Sequence, residues 1–218
     1  MRRIPFLLFQ LTMLYAAAAP AVSRAPDMPT ILVLGDSLSA AHNIAVDQGW
    51  VHLLDVRLKD MRPTWRVVNA SISGETSLTG RNRLPDLLKQ YRPCVVVLEL
   101  GANDGLQGLS IRHMRDNLEA MIRASQAAGA RVLLLGIELP VNYGPRYRNA
   151  LRKVYADLAA RYHTGLVPFL LEGVALDPEL MQADGLHPTA AGEPRVLENV
   201  WQALKPLLGK IRHAAARH

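Results

Sequence analysis

The stretch Ile31–Asn43, ILVLGDSLSAAHN, decides how the rest of the chain is read. Its aliphatic run, Ile31 to Leu34, fits a strand buried on both faces, the pattern of a parallel sheet. The run ends at Gly35-Asp36-Ser37, so the strand delivers a serine at its carboxyl edge. Serine after aspartate is favoured as a helix cap, and it is also the residue type of an acyl-transfer nucleophile. On these residues alone both readings stand.

Outward from this strand, TILVLG, WRVVNA, CVVVLELG, ARVLLLGI and GLVPFL alternate with segments of helical period. The helical segments are WVHLLDVRLKDM, 78–91, IRHMRDNLEAMIRASQAAG, 147–162 and 190–208. Such alternation predicts an α/β fold with a parallel sheet covered by helices on both faces. Gly129 marks a helix stop, and Pro188-Thr189 precedes the last helix. In an open sheet of this kind ligands bind beyond the carboxyl ends of the strands. The loops to read are therefore 35–43, 69–80, 101–110, 139–146 and 183–188.

With 218 residues, 50% of them hydrophobic, the chain suits one well-filled core. Arg2 and Arg3 precede an apolar run from Ile4 to about Ala19 and then small residues, AAAAPAVS. This reads as a secretory signal peptide over 1–23, which places the mature protein in the periplasm or outside the cell. A single domain is expected over 24–218, with its core at about 30–208 and a basic tail at 209–218. The formal charge of +6 falls to +1 when Arg2, Arg3, Lys210, Arg212 and Arg217 are set aside. A nucleic-acid partner is not expected, and membrane contact is at most peripheral. The single cysteine, Cys94, cannot form an intrachain disulfide and is expected to pack as a small hydrophobe inside a strand.

Four elements in these loops bear on chemistry. In ADGLHPT, Asp184 and His187 stand three apart in a turn, a spacing that lets a carboxylate orient an imidazole base. Alone, the pair could equally be a cap beside a surface histidine. Asn103 in ELGANDG could donate its amide to a developing oxyanion, together with backbone N–H groups at Ser37 and at Gly74 in SISGET. Each has a plain turn role as its alternative, yet together they supply nucleophile, donors, orienter and base at one sheet edge. The α/β-hydrolase elbow is excluded, because Ser39 stands where its second glycine belongs. His42, His52, His113 and His163 are scattered without ligand spacing, so no metal is expected. His42, near Ser37, is a weaker rival for the base. Asp36 and Asp104 read as turn-shaping carboxylates.

The blocks GDSLSA, NASISGE, ELGANDG and DGLHP resemble those of the SGNH (GDSL) hydrolases. RLPDLLKQYRP, LPVNYGPRY and MQADGLHP are further similar to its periplasmic multifunctional thioesterase, protease and lysophospholipase (arylesterase) group. The likeness spans Thr30 to about Pro206. It implies a three-layer α/β/α flavodoxin-like fold with a five-stranded parallel sheet and a Ser37–His187–Asp184 triad. The implied oxyanion donors are Ser37, Gly74 and Asn103, with no cofactor and no metal. The implied activity is hydrolysis of acyl esters and thioesters, lysophospholipids among them; a carbohydrate O-acetylesterase and a silent envelope-binding protein are the alternatives, and separately a monomer is expected. The segment after Asn103, with Gly105, Leu106, Gly108 and Leu109, is expected to close over the acyl chain, with Pro140 and Tyr143 nearby. Ala41 and Ala102 stand where the family usually or often has glycine, departures that bear on substrate range.

Overall fold

The computed structural model describes residues 28–209. Five parallel strands, β1 (Thr30–Gly35), β2 (Arg66–Asn69), β3 (Val95–Glu99), β4 (Arg131–Leu135) and β5 (Gly165–Val167), form one sheet in the order β2-β1-β3-β4-β5. β1 and β3 are buried along their whole length, which explains why they read as unbroken apolar runs rather than alternating ones.

Among the described residues five helices cover the sheet, α1 (Trp50–Leu58), α2 (Ser77–Tyr91), α4 (Ile111–Ala127), α5 (Pro145–Tyr162) and α6 (Glu193–Leu208), and the short α3 (Ala102–Leu106) follows β3 and packs on α4. α1 packs on α6 against one face, while α2, α4 and α5 pack side by side on the other. The predicted three-layer α/β/α architecture is therefore observed. The chain winds outward in both directions from β1 and β3, so the strand order reverses between them. That reversal opens a crevice at their carboxyl ends.

Local signals account for most boundaries. Thr76 caps α2 by accepting from the Thr79 amide, and Pro145 starts α5 where its missing N–H costs nothing. Gly129, at φ +83°, ends α4 as expected. α6 begins later than the sequence suggests, because residues 190–192 form a turn held by Gly192 N donating to Thr189 O at 2.9 Å. Cys94 is a correction: it precedes β3 and is only half-buried, although its backbone still bonds to Thr30 and Arg131 at the sheet end.

Candidate active site

Ser37 lies in the tight turn that leaves β1, where Ala40 N donates to Asp36 O at 3.0 Å. The cap-like task falls to its neighbour, since Asp36 Oδ1 accepts from Leu38 N at 3.0 Å. The Ser37 hydroxyl instead meets His187 Nε2 at 2.8 Å, and His187 Nδ1 meets Asp184 Oδ2 at 2.7 Å. An ionised carboxylate can only accept, so Nδ1 carries the proton and Nε2 is left to accept from the serine. Asp184 Oδ1 accepts from the amides of Leu186 (2.8 Å) and His187 (3.1 Å). Partial burial pushes Asp184 upward, but these amides and the His187 ring outweigh it and hold the carboxyl down at about 2.

The loop bearing Asp184 and His187 is closed at its base by an antiparallel bridge between Met181 and Pro188. Gln182 fastens it to the serine turn, its side-chain amide donating to Pro188 O at 2.8 Å and to His42 O at 2.9 Å. This clamp also brings the His42 ring to 4.3 Å from that of His187, centroid to centroid. Sequence spacing could not reveal that neighbour, because the two histidines belong to opposite ends of the chain.

Asn103 sits in the first turn of α3, whose N-cap is Gly101 at φ +120°. A side chain at 101 would be strained by that backbone and would collide with the hydroxyl of Tyr155, so glycine is required. The Asn103 side-chain amide donates to Asp36 Oδ2 at 3.1 Å and to Glu75 O at 3.0 Å. Glu75 follows Gly74 in the turn after β2, and Arg83 holds that turn by donating to Glu75 Oε2 (2.6 Å) and Ala70 O (2.9 Å). Asp104 is buried and accepts from the Ser77 amide at 2.7 Å, so it caps α2.

Beneath the serine turn, Glu99 is fully buried and accepts from Asp36 N at 3.1 Å and Ser39 Oγ at 2.9 Å. Burial, reinforced by the Asp36 charge, drives the Glu99 carboxyl well above its usual range. Burial also raises Asp36, against bonds from Leu38, Glu99 and Asn103, to about 6. Burial thus disfavours the charge on Glu99, while Asp36 Oδ2 remains the acceptor for Asn103.

A cavity of about 180 Å³ opens beside Ser37 and His187. Asn103 and Ala102 form one side, and Leu38, Leu106, Ile137, Leu139, Pro140 and Phe169 contribute apolar wall. Glu138 also borders it, neutralised from behind by Arg148 and Arg152. Of the expected acyl-binding residues, Leu106 and Pro140 line the cavity, whereas Gly105, Gly108, Leu109 and Tyr143 do not. Gly105 is packed under Leu139 and Leu151. The segment expected to act as a lid is anchored: the Tyr143 hydroxyl donates to Leu106 O at 2.8 Å and that of Tyr147 to Leu109 O at 3.0 Å. Ala102 borders the cavity, but Ala41 faces a separate depression beside α1. Ala41 has φ +57°, a backbone that accounts for the glycine usual at this place.

Comparison with known proteins agrees with this architecture. Residues 33–194 match the GDSL-like Lipase/Acylhydrolase family. The chain is 56% identical over 179 residues to Esterase TesA of Pseudomonas aeruginosa, covering 82% of this chain and 89% of that protein. It is 40% identical over 205 residues to Thioesterase 1/protease 1/lysophospholipase L1 of Escherichia coli K12, covering 94% and 93%. Among solved structures, that of the psychrotrophic esterase EstA from Pseudoalteromonas sp., inhibited by monoethylphosphonate, superposes with a TM-score of 0.78 at 40% identity. That match covers 83% of this chain and 99% of EstA. With the match extending from β1 to the start of α6 and such relatives spanning most of both chains, the protein belongs to the GDSL-like lipase/acylhydrolase family of hydrolases.

Proposed function

We propose that this hydrolase is an exported serine esterase and thioesterase that accepts lipid-like acyl groups, lysophospholipids and aryl esters among its substrates. The observation that carries the reading is the Ser37–His187–Asp184 chain of bonds at the mouth of a largely apolar cavity. His187 Nε2 takes the Ser37 proton as Oγ attacks the acyl carbon, and Asp184 steadies the imidazolium through Nδ1. The imidazolium then protonates the departing alcohol or thiol. Water, activated by the same nitrogen, releases the acid from Ser37.

The oxyanion of the tetrahedral intermediate would be met by the amides of Ser37 and Gly74 and by the Asn103 side chain. At rest, both hydrogens of that Asn103 nitrogen are engaged by Asp36 and Glu75, so its donation requires sharing one of them with the oxyanion. The apolar wall favours an acyl chain over a sugar as the group lodged beside the serine. The protein acts as a monomer on small-molecule esters.

The signal peptide that supports export lies outside the described residues. Among the described residues no helix is long and apolar enough to cross a membrane. N-terminal sequencing of protein from a periplasmic fraction should begin near Val22 or Arg24, and a start at Met1 in a membrane pellet would contradict export.

The central test is labelling by a fluorophosphonate with mass-spectrometric site mapping, alongside hydrolysis of p-nitrophenyl esters and acyl-CoA. Modification of Ser37, with loss of label and turnover in Ser37→Ala and loss of turnover in His187→Ala, is expected. An unlabelled Ser37 in folded protein would leave a silent binding protein as the better reading. A sharp fall in rate beyond acetyl would point to an O-acetylesterase.

A further inference from the structure

We propose that His42, His187 and Asp184 form a binding site for a borderline divalent transition cation, Zn²⁺ or Cu²⁺, and that its occupation reversibly silences the hydrolase. The silencing rests on the catalytic reading given above; the binding does not.

One ligand atom from each of the three residues lies within 4.8 Å of the other two. Bonds of about 2.0–2.2 Å from zinc to imidazole nitrogen and carboxylate oxygen place neighbouring ligands roughly 3.3–3.5 Å apart in a tetrahedron. Small side-chain rotations close that gap. The backbones are already in register, because Gln182 ties His42 O to the loop that carries the other two residues. Asp184 is exposed and both histidines are half-buried, so an ion can enter from solvent and keep a water as its fourth ligand. The esterase chemistry gives the His42 ring no task, yet that ring stands tilted at 39° beside the imidazole on which the reaction depends.

Coordination through either nitrogen of His187 arrests the reaction. A metal on Nε2 takes the lone pair that would accept the Ser37 proton. A metal on Nδ1 displaces the bond to Asp184 and forces the proton onto Nε2. Two imidazoles and one carboxylate suit zinc and copper, with copper the tighter by the usual order of divalent affinities, whereas magnesium and calcium prefer all-oxygen sites.

The test uses purified wild type, His42→Phe, His42→Gln and Ser37→Ala, titrated with Zn²⁺, Cu²⁺ and Mg²⁺ by calorimetry and, where active, by ester hydrolysis. Wild type should bind one Zn²⁺ and lose activity, EDTA should restore it, and Mg²⁺ should do neither. Both His42 variants should keep basal activity yet require about 10–100-fold more zinc for half-inhibition, the loss typical of removing even a supporting group at a metal site. Ser37→Ala retains all three ligands and should bind zinc despite its inactivity, so binding is read separately from hydrolysis. A wild type that binds zinc but hydrolyses no ester would sink the esterase reading and keep the site. No binding, or zinc inhibition equal in wild type and the His42 variants, would overturn the site.

Discussion

Replacing Gly105 with alanine tests which part of the site measures the acyl chain. A Cβ at 105 would lie 2.7 and 2.9 Å from the two methyls of Leu139 and 2.8 Å from a methyl of Leu151. Something must move, and the two neighbours are not equally free. Leu151 is wholly buried against the core, whereas Leu139 has the cavity on its other side. Leu139 is therefore displaced into the space beside Ser37. Overpacking of this kind costs about 1–3 kcal/mol, and each kcal/mol lowers the melting temperature of a domain this size by about 2–4 °C. The effect on catalysis is selective. A methylene excluded from the cavity forfeits about 0.8 kcal/mol, which is roughly a fourfold loss in kcat/KM. Octanoyl and decanoyl esters should lose that factor for each methylene displaced, and acetyl esters should lose little. Gly108→Ala is the matched control: its Cβ would meet nothing within 4 Å, but φ is +67°. It should cost about 1–2 kcal/mol of backbone strain and leave the chain-length profile unchanged. The assay is kcat/KM for p-nitrophenyl esters from acetyl to decanoyl, with thermal melts of each variant. Equal losses at every length in Gly105→Ala, or a chain-length effect in Gly108→Ala, would refute a fixed wall and restore a moving lid.

Asn103→Ala should lower kcat by roughly 10²–10³-fold with little change in KM, because the missing donor matters as charge develops; a raised KM with unchanged kcat would make Asn103 a ground-state binder. Glu193 is buried at the start of α6, accepts from Trp50 N at 2.8 Å, and burial lifts its carboxyl to about 7 against that bond. Its folded form holds a proton more tightly than the unfolded form, so its contribution is full below about pH 4.5 and lost as pH rises through about 7. Glu193→Gln keeps an acceptor for Trp50 and should match wild type near pH 4.5 but exceed it at pH 8 by up to about 3 kcal/mol in urea unfolding. Ala41→Gly relieves a left-handed backbone worth about 1–2 kcal/mol, offset by about 0.4–1 kcal/mol of extra unfolded-chain entropy, and should raise the melting temperature slightly. A lowered melting point would show that the Ala41 methyl contributes packing that outweighs the strain.

The strands were legible because a parallel sheet demands apolar runs, and β1 and the first four residues of β3 are buried between the two helical layers. Asp184 and His187 could be paired on paper because their spacing lies within one turn, where local geometry settles orientation. What stayed hidden depends on partners distant in sequence. Glu99 looked like the end of an apolar strand, and only the fold shows it accepting from Asp36 and Ser39. Gly105 belongs to the segment expected to close over the acyl chain, yet in the fold it lets Leu139 and Leu151 pack closely. The cavity wall draws on Leu38, Leu106, Ile137 and Phe169 from four separate segments, and nothing in the sequence marks these four as neighbours. Cys94 was assigned to a strand interior because apolar residues follow it, but the strand begins one residue later.

The side chain of Gln182 joins the turn after β1 to the loop before α6 before any ester arrives. Its consequence concerns time. A site whose nucleophile and base sit on loops free to drift would spend part of each cycle waiting for the two to meet. Here the two loops are already joined in the resting fold, so ester mixed rapidly with the protein should be consumed from the first instant, with no lag.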